Sequence, residues 1–69
     1  MIEVSPSQAG HVLGISLMTI HRRVEDGSLP ARREGVRRDI KIDLDDLRKF
    51  ATAFGYRFDE SVAAQYAGK

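Results

Sequence analysis

Seven of the eleven Lys and Arg side chains in this 69-residue chain fall between residues 20 and 42: Arg22, Arg23, Arg32, Arg33, Arg37, Arg38 and Lys41. The same stretch holds four acids, whereas residues 43 to 69 carry four basic and five acidic side chains, so the overall charge of +1 hides a basic segment. Guanidinium groups present planar forks of N–H donors that match phosphate oxygens, and a one-sided basic patch is the footprint of a polyanion binder. Arg-rich segments are also often plain solvated faces. Charge alone does not choose between the two, and the placement of the side chains has to.

Other chemistries find little to work with. The chain has no cysteine, which removes a thiol nucleophile, a disulfide framework and a cysteine-ligated zinc site. His11 and His21 fall on predicted helix surfaces with no serine–carboxylate arrangement beside them, and no Gly-rich loop is spaced to cradle a phosphate. Asp43, Asp45 and Asp46 suggest a metal cluster, but acids at a helix start complement its dipole, which accounts for them more simply. The expectation is a protein that is not an enzyme and uses no cofactor, metal or small-molecule ligand. All five aromatic residues lie beyond residue 49, away from the basic segment, which argues against a single-strand binder with stacking rings among its cations. No apolar run approaches a membrane span or a signal peptide. A soluble, cytoplasmic protein without a membrane partner is expected.

The positioning elements can be read from caps and periodicity. Ser5-Pro6 is a helix start, a hydroxyl N-cap followed by proline where a missing N–H costs nothing, and Ala9, Val12 and Leu13 share a face of the helix that follows. The first N–H groups of that helix are open to a phosphate, and His11 either joins such a contact or is a solvated imidazole. A break at Gly14 to Ser16 leads to a second helix, capped by Ser16 and ended by Gly27. On it Leu17, Ile20 and Val24 fall in one apolar arc, Met18, Thr19 and Arg22 point away, and His21 lies on a flank. Ser28-Leu29-Pro30 reads as a turn. Two short strands follow, the second with alternating Ile40 and Ile42, around a tip of Gly35, Val36 and Arg37. Arg32, Arg33 and Arg38 sit on the arms of this hairpin. Asp43 to Phe54 reads as a third helix, with Leu44, Leu47, Phe50, Ala51 and Phe54 apolar, Asp43 or Asp45 as cap and Gly55 as stop. Asp59 to Ala67 reads as a short fourth helix. Tyr56, Phe58, Val62 and Tyr66 either fold back onto helix three, which so small a core favours, or leave an apolar surface for self-association or a protein partner.

The pattern S-P-S-Q-A-G-H-V-L-G-I-S-L-M-T-I-H-R-R-V-E-D-G-S-L-P, then a basic hairpin, then I-K-I-D-L-D-D-L-R-K-F, resembles the excisionase and MerR-type winged helix-turn-helix family over residues 4 to about 51. The resemblance implies a mainly α fold with a small β-hairpin wing: one domain over residues 1–69, with a core at 4–54 and a C-terminal extension at 55–69. It implies major-groove reading by Met18, Thr19, His21 and Arg22 and wing contacts by Arg33, Arg37 and Arg38. Positions 17 and 18, often polar or basic in relatives, are Leu and Met here, which leaves Met18 to touch a thymine methyl. Arg23 stands in a place usually apolar, with a stem able to snorkel toward a phosphate.

The partner implied is double-stranded DNA. The role implied is an excisionase-type recombination directionality factor that binds repeated sites cooperatively, bends DNA and works with an integrase or recombinase. A small transcriptional regulator or a terminase small-subunit domain shares the pattern. Neither a long coiled coil nor an effector domain is seen here, so a ligand sensor is not expected. The reading from another class is a protein-interaction module that docks through Tyr56, Phe58, Val62 and Tyr66.

Overall fold

The computed structural model describes residues 2–37 and 39–67. Its elements in chain order are β1 (Glu3–Val4), α1 (Pro6–Leu13), α2 (Leu17–Glu25), β2 (Arg32–Glu34), β3 (Asp39–Asp43), α3 (Leu44–Phe54) and α4 (Glu60–Ala67). This is the expected winged helix-turn-helix layout of helices with a small antiparallel sheet, in strand order β1-β3-β2.

The caps set the helix boundaries. Ser5 and Gln8 form a reciprocal capping box, each side chain bonding the other's backbone N–H. Gly14, at φ 68°, turns the chain out of α1 in the left-handed region that favours glycine. Ser16 caps α2 by accepting from the Thr19 N–H, and its hydroxyl also bonds that of Thr19 at 2.9 Å. Of the two candidates for the α3 cap, Asp43 fills the role, accepting from the Asp45 and Asp46 N–H groups. Asp59 does the same for α4, accepting from Ser61 and Val62.

Two features went unread in the sequence. Residues 3 and 4, taken as a lead into α1, form β1, which pairs antiparallel with β3 through Glu3 opposite Asp43 and Val4 opposite Ile42. A strand of two residues has no alternation to detect. Leu29, taken as part of a turn, is 1% exposed and belongs to the core, and its N–H donates to the Arg23 carbonyl.

The core collects Val4, Val12, Ile20, Leu29, Ile42 and Leu47 as its most deeply buried large side chains. Three expectations are corrected by it. Leu17 was expected to anchor α2 and is 48% exposed instead. Phe54, expected on the buried face of α3, is 49% exposed and rests on the core through Phe50, with ring centroids 4.6 Å apart and ring planes tilted by 31°. The C-terminal aromatics were expected over helix three, but α4 lies against α1. Ala63 is buried, the Asp59 N–H donates to the Val12 carbonyl at 2.9 Å, and the Tyr66 hydroxyl approaches His11 Nδ1 at 3.4 Å. Helix three still contributes, since Arg48 binds Glu60 and stacks over Phe58, while Tyr56 stacks on Phe50. Tyr56, Phe58, Val62 and Tyr66 are thereby partly buried against the core, and the apolar docking surface that they were alternatively expected to leave is occupied by the domain itself.

The join between α1 and α2 depends on residue 10. Gly10 is buried, and a Cβ placed on it would lie 2.8 Å from the Ile15 carbonyl oxygen, so the turn can close over α1 only where no side chain intervenes. Gly10→Ala is expected to lower stability by about 1–2 kcal/mol, because the strain of overpacking exceeds the helical preference for alanine. A lower urea midpoint with an unchanged slope, followed by far-UV circular dichroism, is the expected result. A midpoint equal to or above that of the parent chain contradicts this account.

Candidate nucleic-acid interface

Ile20 is fully buried, Thr19, Arg23 and Val24 are half-buried, and Leu17, Met18, His21, Arg22 and Glu25 are exposed. At about 100° per residue the exposed five span an arc of roughly 140°, and Arg23 sits nearly opposite its centre. The buried side of α2 is therefore turned toward Arg23 and away from Leu17. Leu29 is buried in the core, and the half-buried Val24 packs against it.

This rotation redistributes the predicted readers. Met18, His21 and Arg22 lie on the exposed arc, and Met18 is 70% exposed. Thr19 lies at the arc's edge with its hydroxyl held by Ser16. Arg23 is turned inward. It binds Asp26 at 3.2 Å, its guanidinium lies 5.9 Å from the Phe54 ring centroid, and its Nε is buried without a hydrogen-bond partner. The Tyr56 phenol first, and Asp26 after it, raise the Arg23 pKa still further. Asp26 in turn is held below the ordinary carboxylate range by hydrogen bonding from Ser28, with Arg23 adding to it. Arg23 thus fastens the end of α2 to the end of α3. Leu17 and Glu25 join the exposed arc, and neither was named as a reader. Their signal was the phase of the apolar arc, which three apolar positions on a nine-residue helix leave open by one place.

The hairpin is built as expected, with Arg32 opposite Lys41, Arg33 opposite Ile40 and Glu34 opposite Asp39. Gly35 takes φ 82° at the tip, and Val36 and Arg37 beside it are exposed. Arg38 lies outside the described residues. The arms are less free than a count of arginines suggests. Arg32 binds Glu3 on β1, with Nη2 to Oε2 at 2.7 Å, and Glu34 at 2.7 Å, so its charge is answered within the sheet. Arg33 binds Glu25 of α2 at 3.1 Å and so links the wing to the exposed arc. Among the described residues, Arg22, Arg37 and Lys41 make no ion pair, which leaves their charges open to an external anion.

A helix about 10–12 Å across with an exposed convex arc matches the width of a major groove, and an adjoining hairpin with a basic tip reaches the flanking backbone. No group of three or more metal-binding side chains gathers among the described residues, and none of their helices is long and apolar enough to cross a membrane. Among known families, a model described as a helix-turn-helix domain matches residues 3–54, which takes in β1 through α3. No curated protein and no solved structure matches the chain.

Glu25 is the one acid on the exposed arc, and it occupies Arg33. Glu25→Gln is expected to tighten binding to a random-sequence duplex and to steepen the log–log salt slope by about one, as Arg33 becomes free for a phosphate. Fluorescence anisotropy across a salt series measures both quantities. An unchanged slope would show that Arg33 does not reach the backbone.

Proposed function

The chain belongs to the helix-turn-helix domain family, a DNA-binding family, and from that premise we propose that it is a sequence-specific double-stranded DNA-binding factor of the excisionase type. One observation carries the reading: an exposed arc on α2 with Arg22 unpaired among the described residues, set beside a hairpin whose tip presents Arg37. The role is architectural and not catalytic. Phosphate contacts from the wing fix the register of the protein on the duplex, and the few side chains of the arc read base edges. His21 and Arg22 supply the donors of that reading, with Arg22 suited to the O6 and N7 acceptors of guanine.

So sparse a set of readers gives a monomer modest specificity. Binding of neighbouring copies on repeated sites raises it, and the bend that they impose allows a recombinase to assemble. The sequence pattern that resembles excisionases is shared by small transcriptional regulators, and a tandem array of sites with a bend is what separates the first role from the second.

Arg22→Ala is expected to abolish specific duplex binding while leaving the circular dichroism spectrum and thermal midpoint in place, because the side chain is exposed and makes no ion pair among the described residues. With about five phosphate contacts, the parent protein should show a log–log salt slope of roughly −4 to −5 per monomer. Footprinting should reveal a tandem array, and circularly permuted fragments should migrate as bent DNA. An affinity that does not change with salt would sink the reading. A single protected operator without a bend would transfer the protein to the regulators.

A further inference from the structure

The first turn of α2 is unlike the rest of the interface. Leu17 and Met18 are exposed side by side, and the two hydroxyls nearest to them, Ser16 and Thr19, are bonded to each other at 2.9 Å. Like the first turn of α1, that turn holds no acid, whereas α3 begins with Asp45 and Asp46 and α4 with Glu60. The absence of acids suits a surface laid against phosphates, since a carboxylate there would be repelled. One turn further on, at i+4 from each, the arc changes character to His21 and Arg22. The exposed arc is therefore bipartite, apolar at its leading end and donor-bearing behind.

We propose that Leu17 and Met18 form a reader of 5-methylpyrimidines: the preferred duplex places thymine methyl groups against them, and 5-methylcytosine satisfies the same contact. The inference rests on the duplex-binding reading above. In the major groove the bases present hydrogen-bonding groups at nearly every edge, and the C5 methyl is the apolar exception. An apolar pair pressed on donors and acceptors would strip them of water and return no bond, which disfavours every other base at that place. The leading end of a recognition helix is the part that enters among base edges, so the pair is positioned for this contact. Arg22 follows Met18 by four residues, about 6 Å along the axis, or between one and two base steps. The methyl-bearing position then lies within two base pairs of the guanine taken by Arg22. The charge surroundings favour DNA over a second copy of the chain as the occupant of this apolar pair, since Arg22, without an ion pair among the described residues, flanks it.

The test begins with a duplex selected from a randomised pool by the full-length protein. Each thymine is then replaced singly by deoxyuridine, which removes only the methyl group, and affinity is measured by anisotropy at fixed salt. One or two positions should lose about fourfold in affinity each. In Leu17→Ala or Met18→Ala the penalty at the matching position should disappear, and a 5-methylcytosine placed there should bind better than cytosine in the parent protein only. Both substitutions are at exposed positions, and an unchanged thermal midpoint verifies that they fold. Retention of duplex with no deoxyuridine penalty, or a penalty that persists in both variants, overturns the methyl reader and leaves DNA binding intact. Selection of no duplex at all overturns both. Loss of a dimer by sedimentation in Leu17→Ala, with deoxyuridine discrimination unchanged, assigns the pair to self-contact and overturns the proposal.

Discussion

The orientation of α2 rests on a missing side chain. With only a hydrogen at residue 10, the Ile15 carbonyl settles against α1, and the turn from Gly14 to Ser16 becomes short enough for Ile20 to drop fully into the core. Burying a side chain of that size contributes about 1.5–3 kcal/mol, a large share of the stability of so small a domain. Once Ile20 is fixed, the 100° step of the helix dictates the rest of α2. Arg23 is carried to Phe54 and Asp26, while Leu17 and Met18 are carried outward.

Charge on this protein is organised in pairs before it meets any ligand. Arg32 is answered by Glu3 and Glu34, Arg33 by Glu25, Arg23 by Asp26 and Arg48 by Asp45 and Glu60. Each is exposed or nearly so, and such pairs contribute little to stability individually. Their effect is on availability. A segment rich in arginine offers, among its described residues, Arg22, Arg37 and Lys41 without a carboxylate partner. Affinity for a polyanion then depends on how readily Arg33 exchanges Glu25 for a phosphate.

Much of the fold was legible because its signals are local. Ser5-Pro6, Ser16, Asp43 and Asp59 mark helix starts through atoms two or three residues away, and Gly14, Gly35 and Gly55 mark the turns through their own φ. The alternation of Ile40 and Ile42 marked β3. What remained hidden depends on distant partners. Nothing local distinguishes Glu3-Val4 as a strand, because its identity comes from Asp43 and Ile42. The phase of α2 follows from the close approach of Gly10 to the Ile15 carbonyl and Ile20, which no periodicity within α2 displays. Glu3 and Arg32 are 29 residues apart. The arc on α2 could therefore be placed on the right helix and still be misjudged by one position in rotation.

The way the hairpin is rooted has a mechanical meaning. β3 is bonded on both sides near its base, to β1 through Ile42 and to β2 through Lys41, but only to β2 at Asp39. Asp43 is at once the last residue of that strand and the N-cap of α3, with no loop between them. The wing is a cantilever, clamped where the strand becomes the helix and compliant toward Gly35. A load at its tip meets stiffness that rises along its length and is delivered to the start of α3 through the backbone, with the exposed Arg33–Glu25 ion pair tying one arm to α2. The tip can follow an uneven backbone while the reading helix keeps its place.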